Sequence, residues 1–160
     1  MIRRPIFFSA VLPLFLLSLA VQAWAWSGKV VAVSDGDTIK VLQNGTETKV
    51  RLYGVDAPEK KQDFGQAAGK FTAGLAAGKT VEVDPIDTDR YGRTVGVVIL
   101  DGRTVLNREL VKAGFAWVYP QYCKLPVCGE WKGLEATARA QQAGLWRDPN
   151  PTPPWEFRKK

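Results

Sequence analysis

From Gly28 to Ser34 the chain carries a β-branched run that predicts a strand, and Asp35-Gly36 follows as a two-residue hairpin signal. Asp37 to Gln43 predicts a second strand, Asn44-Gly45 a second hairpin turn, and Thr46 to Tyr53 a third strand. The turn also sets the register. With two residues in the Asn44-Gly45 loop, Gln43 faces Thr46, and paired residue numbers sum to 89. Ile39 then faces Val50 as a core pair, Thr38 faces Arg51 and Asp37 faces Leu52, so two charged segments meet at one end of the meander. In ideal register Asp37 and Arg51 point to opposite faces, and Asp56 has the wrong parity relative to Arg51. Gly54, an interior glycine, is the candidate bulge that re-aims them.

Downstream, Asp63 to Ala77 predicts a helix weakened by Gly65, Gly69 and Gly74. Lys79 to Asp84 and Thr94 to Leu100 predict strands, and Val105 to Ala113 a helix with Gly114 as its stop. Phe115 to Tyr119 is short and apolar, hence extended, and Glu130 to Ala143 is a strong helix ending at Gly144. Five strands with interspersed helices point to an α+β fold: a five-stranded OB-type β-barrel with about three helices packed on it. This domain spans residues 26–147. The proline-rich stretch from Asp148 to Pro154 and the basic end Arg158-Lys159-Lys160 predict a poorly ordered tail over 148–160.

The start of the chain has a different character. Arg3 and Arg4 precede an apolar stretch from Ile6 to Ala20, and Ala23-Trp24-Ala25 has the small residues of a cleavage site, as does Val21-Gln22-Ala23. Residues 1–25 are expected to be a signal peptide; an uncleaved anchor is the alternative, although the run is shorter than the roughly 20 residues needed to span a bilayer. The mature protein is then exported to a periplasm or the medium, leaves no membrane segment, and is expected to be a monomer. Removing Arg3 and Arg4 leaves 20 basic against 16 acidic side chains, a modest excess that suits a polyanion. Cys123 and Cys128 are the only cysteines. In an oxidising compartment a disulfide between them is the default; half a zinc site would lack a second cysteine pair or any histidine.

The chain contains no histidine. The usual imidazole base, transition-metal ligand and Ser-His triad are therefore absent. Carboxylates, guanidinium groups and an oxygen-liganded cation remain, an inventory that fits phosphodiester cleavage. Asp37 and Asp56, brought together by the hairpin, are the natural carboxylate pair for calcium, with the Ala57 carbonyl and water as further ligands. Asp35 either joins this site or simply makes the Asp-Gly turn. Pro58 fixes the direction in which Glu59 leaves the sheet, which suits a group receiving a proton from attacking water; the alternative is an exposed loop glutamate beside Lys60 and Lys61. Arg51 and Arg93 present paired donors to phosphate oxygens. Tyr91 lies inside the second arginine segment, and Trp117 and Tyr119 share a face by their i, i+2 spacing; such rings stack on bases of any sequence, the alternative for Trp117 being core packing.

Three segments, Asp35-Gly36-Asp37-Thr38, Arg51 to Glu59 (Arg-Leu-Tyr-Gly-Val-Asp-Ala-Pro-Glu) and Thr88 to Arg93 (Thr-Asp-Arg-Tyr-Gly-Arg), together with Val105 to Gly114, resemble the staphylococcal-nuclease-type thermonucleases. The resemblance runs from about Gly28 to Trp146. It implies an OB barrel with three helices and calcium-dependent hydrolysis of DNA and RNA on the 5′-oxygen side, leaving 3′-phosphate ends. By motif position, Asp37, Asp56 and the carbonyl of Ala57 would hold the calcium, and Glu59 would act as base or orient water. Arg51 and Arg93 would hold the scissile phosphate. Asp35, Thr38, Tyr91, Trp117 and Tyr119 would lie against substrate. Position 57 is alanine where threonine is frequent, and Trp117 replaces a tyrosine. A nuclease is thus expected. A non-catalytic nuclease-like module, or an OB-type oligosaccharide or single-strand binder, is the alternative.

Overall fold

The computed structural model describes residues 24–159; residues 1–23, nearly all of the expected leader, lie outside it, as does residue 160. Among the described residues eight strands run in order: β1 Trp26–Asp35, β2 Thr38–Gln43, β3 Thr46–Leu52, β4 Val55–Asp56, β5 Thr80–Thr88, β6 Thr94–Leu100, β7 Thr104–Val105 and β8 Trp117–Val118. Four helices, α1 Gly65–Ala76, α2 Leu106–Lys112, α3 Val127–Ala140 and α4 Pro154–Phe157, join them, with a 3-10 turn at Gly144–Arg147.

The meander forms in the predicted register. Gln43 pairs with Thr46, Ile39 with Val50 and Thr38 with Arg51. β5 pairs antiparallel with both β1 and β6, and β6 closes the circuit by running parallel to β3, with Arg51 opposite Val95. The result is the expected closed five-stranded barrel of β1, β2, β3, β6 and β5. Alternate positions fill its interior: Val30, Ile39, Val41, Val50, Leu52, Val81, Val83, Val98 and Leu100 are all buried. The buried Asn107 ties α2 to the barrel. Its side chain accepts from Val98 N at 3.0 Å and donates to Tyr53 O at 3.0 Å, satisfying backbone groups that the end of β3 leaves without ladder partners.

Four departures from the sequence expectations bear on the site. The first turn lies one residue later than Asp35-Gly36, because Asp35 still pairs with Thr38 and Gly36-Asp37 form the corner. Asp37 therefore escapes strand alternation. Gly54, at φ 70°, ends β3 rather than bulging it, and β4 restarts in a new direction paired with β8. The two parity conflicts vanish together. β5 continues past Asp84 to Thr88 through an irregularity between Pro85 and Asp87, which breaks the apolar alternation that marked its first half. Lastly, residues 148–158 are not a loose extension. Pro154 is buried, α4 forms one short helix, and the segment returns to the barrel end carrying Asp56.

Candidate active site

The turn between β1 and β2 is clamped from both sides. Asp37 N–H donates to Asp35 Oδ1 at 3.2 Å, and Thr72 of α1 donates its hydroxyl to Gly36 O at 2.5 Å. A Cβ on Gly36 would stand 2.6 Å from Ala57 Cβ and 2.8 Å from Ala68 Cβ, so only glycine lets α1 and the segment after β4 close on this corner. Asp37 consequently points inward. Its Oδ2 accepts from Ala57 N at 2.6 Å and lies 2.9 Å from Arg51 Nη1, while Oδ1 accepts from Thr38 Oγ1 at 3.1 Å.

Arg51 is the hub. Its Nη1 donates to Val55 O at 3.0 Å and its Nη2 reaches Asp56 Oδ1 at 2.7 Å. Asp56 is held by the β4–β8 pairing opposite Trp117 and is fully buried. Both carboxylates titrate above the ordinary aspartate range. Burial pushes Asp37 up to about 7, against the pull of Arg51, and the charges of Asp35 and Asp56 add to the rise. Burial also raises Asp56, opposed by its hydrogen bond to Arg158 and by Arg51.

Glu59 leaves β4 through Ala57-Pro58 and is partly exposed. Its backbone is fixed from Gln62, whose N–H donates to Glu59 O at 2.8 Å and whose side-chain carbonyl accepts from Glu59 N at 3.2 Å. Its carboxylate meets Arg158 Nη1 at 2.7 Å, and the same guanidinium reaches Asp56 Oδ2 through Nη2 at 2.8 Å. Arg158 was missed from the sequence. Its segment has no hydrophobic period, and the available signals were the closely spaced prolines 149, 151, 153 and 154 leading into Trp155-Glu156-Phe157-Arg158.

Asp37, Arg51, Asp56 and Glu59 therefore form one connected cluster at the barrel end. Arg93 does not join it by direct contact among the described residues. It lies at the start of β6, beside β3, where its Nε is tied to Asp89 Oδ2 at 2.6 Å within the β5–β6 turn. Tyr91 in that turn is 68% exposed, with Arg90 and Arg93 against its ring at 4.8 and 5.6 Å. Asp35 is partly exposed and braces the turn through Oδ1, whereas Thr38 is buried and presents no free face to a substrate. Trp117 is corrected from a stacking surface to a core residue: it is buried, packed edge-on to Trp146 at 5.0 Å and to Trp155 at 6.4 Å. Tyr119 keeps an exposed part, but Trp155 stacks on it at 4.9 Å with planes 8° apart. Cys123 and Cys128 form the expected disulfide, and a Cβ on Gly54 would strike Cys123 Sγ at 2.6 Å.

Among the described residues no three acidic, thiol or imidazole side chains form a ready-made metal cage. The donor set still fits a hard cation. Asp37, Asp56 and Glu59 meet the guanidinium groups of Arg51 and Arg158, Asp35 adds its charge beside Asp37, and the central pair is buried with raised proton affinity. Carboxylate and carbonyl oxygens with water are what calcium takes.

A family model for staphylococcal nuclease homologues matches residues 49–148. Among curated proteins, an uncharacterized endonuclease of Escherichia coli O157:H7 is 44% identical over 149 residues, covering 93% of this chain and 95% of that protein. A micrococcal nuclease of Shigella flexneri is 42% identical over 159 residues, covering 94% and 91%. Protein ParB of Escherichia coli is 39% identical over 160 residues, covering 94% and 90%. With its barrel, its clustered carboxylates and this agreement along nearly its full length, the chain belongs to the staphylococcal nuclease family.

Proposed function

We propose that the protein is an exported, calcium-dependent nuclease that hydrolyses phosphodiester bonds of DNA and RNA and acts as a monomer. The observation that carries this reading is the cluster in which Arg51 bridges Asp37 and Asp56 while Glu59 stands one guanidinium away. Family membership makes the chain a nucleic-acid hydrolase; the metal, the residue roles and the address are the finer part. Among the described residues no helix is long and apolar enough to cross a membrane.

In this reading a water molecule attacks phosphorus in line with the 5′-oxygen. Its proton passes to the Glu59 carboxylate, the bond to the 5′-oxygen breaks with the electron pair leaving on that oxygen, which takes a proton from solvent to become a hydroxyl, and the phosphate stays on the 3′ side. Arg51, fixed by carbonyls and carboxylates, stabilises negative charge on the phosphoryl oxygens without reorganising, and Arg93 reaches in from the β5–β6 turn, exchanging Asp89 for the phosphate. Asp37 and Asp56, with the Ala57 carbonyl, would hold the calcium ion, which when bound supplies further positive charge at the phosphoryl group. Tyr91 offers an open ring to a base.

The test is incubation of the mature protein with paired DNA and RNA substrates, with calcium and with EDTA. Calcium-dependent shortening with 3′-phosphate ends is expected. Tight binding in EDTA with no product under any metal would replace the enzyme with a binding module.

A further inference from the structure

The C-terminal segment is the part of the molecule that the nuclease reading leaves unused, and it ends inside the site. Prolines 151, 153 and 154 stiffen an arm that departs from the 3-10 turn. Gln62, the residue that fixes the Glu59 backbone, donates its side-chain amide to Thr152 O at 2.5 Å. Pro154 is buried, and Trp155 lies flat on Tyr119. One turn of helix then aims Arg158 at the carboxylates.

The geometry is that of a substitute cation rather than a helper of catalysis. Arg158 Nη1 lies 3.2 Å from Asp56 Oδ1 and 2.7 Å from Glu59 Oε1, and Nη2 lies 2.8 Å from Asp56 Oδ2. Asp56 Oδ1 also takes Arg51, so both of its oxygens are occupied by guanidinium groups. A calcium ion bound to Asp56 would stand within a few ångströms of a fixed positive charge and would share the same lone pairs. Trp155, in turn, covers one ring face of Tyr119 and removes it as a surface for a base. One segment therefore closes two parts of the site at once.

We propose that residues 152–158 are an autoinhibitory strap: Arg158 occupies the carboxylates in place of the cation, Trp155 covers Tyr119, and calcium binding expels the strap. The proposal rests on the nuclease reading above. Expulsion needs no unfolding of the barrel, because Arg158 is 40% exposed and the strap carries no ladder hydrogen bonds. Linkage makes the effect reciprocal. The closed strap weakens calcium by the fraction of time the site is covered, and calcium loosens the strap by the same factor.

The experiment uses the mature full-length protein and its Arg158→Ala, Arg158→Gln and Lys159→Ala forms. Calcium affinity is measured by calorimetric titration, and hydrogen exchange of the amides of residues 155–158 is followed with and without calcium. With a strap closed about nine-tenths of the time, both Arg158 variants should bind calcium about tenfold more tightly. Lys159→Ala, which removes the same charge one residue away, should change affinity less than about twofold. In the wild type, calcium should speed exchange in the strap. Unchanged or weaker calcium binding in the Arg158 variants, or strap amides equally protected with calcium, would overturn the strap while DNA cleavage continued to support the nuclease. Absence of both calcium binding and cleavage in every form would overturn strap and nuclease reading together.

Discussion

Arg51 and Arg93 are each held by aspartate, yet the two pairings have opposite characters. At the barrel end, Arg51 sits between Asp37 and Asp56, both buried, and burial lifts both carboxylates above their ordinary range. In the β5–β6 turn, Asp89 is partly exposed. Its burial penalty, the largest single contribution, is outweighed by the sum of hydrogen bonds from the Arg93 backbone and side chain and from Tyr91 N, and its proton affinity falls. The turn is a self-sufficient clasp that parks a guanidinium near the surface. The barrel end is short of positive charge. That shortage is the physical argument for the proposed cation site, and in this structure Arg158 relieves part of it.

The comparison predicts unequal responses to the same substitution. Arg51→Ala should have the largest effect. Stranding two buried carboxylates should cost about 3–5 kcal/mol in urea unfolding, and loss of a preorganised donor should lower cleavage by about 10²–10³. Near-wild-type stability would mean that the barrel-end carboxylates are not starved of charge. Arg93→Ala should lower cleavage by a comparable factor of about 10² while changing unfolding by less than about 1 kcal/mol, because its ion pair is surface-screened. A large stability loss there would erase the contrast between the two regions.

Titration separates them further. Asp37 binds its proton more tightly folded, up to about 7, than unfolded, where the reference is 3.8. Between these values the folded state holds a proton that the unfolded chain has released, so the contribution to stability falls as pH rises and levels off above about 7. The groups facing Asp37 are Asp35, Asp56 and Arg51. Thermal melts of the metal-free protein should decline across that window, and Asp37→Asn should flatten the decline. A melting temperature that climbs through the window by way of Asp37 would reverse the assignment. Asp89, with lowered proton affinity, contributes the opposite sign, lost as pH falls below the ordinary aspartate range. The smallest effect is expected at Tyr91→Ala: stability within about 0.5 kcal/mol, and a KM for DNA raised up to about tenfold if one base stacks there.

Much of this site was legible because it follows from one turn. Asn44-Gly45 fixed the pairing of Thr38 with Arg51, and that pairing joins the first two charged segments. The parity conflict of Asp56 with Arg51 had the right address, Gly54, but the cause was a strand ending at positive φ, and that of Asp37 vanished because the first turn includes it. Trp117 and Tyr119 do face the same partner, as their spacing indicates, but that partner is Trp155, about forty positions along the chain. Local pattern carries no information about such a neighbour. The same holds for Arg158: a short proline-rich run gains order here from contacts distant in sequence, at Trp117 and Tyr119 and, 90 or more residues away, at Gln62, Glu59 and Asp56. Where order comes from tertiary packing rather than from a repeating apolar period, composition suggests a loose tail.

Glu59 offers the most direct test of the claim that the barrel end is the reaction centre. It is partly exposed, and its side chain contacts only Arg158 among the described ion pairs, so replacing it should leave the fold intact. Initial rates of DNA cleavage at saturating calcium should fall by about 10²–10⁴ in Glu59→Gln, with calcium still bound and the circular dichroism unchanged. A Glu59→Gln protein that cuts DNA at the wild-type rate would contradict the account.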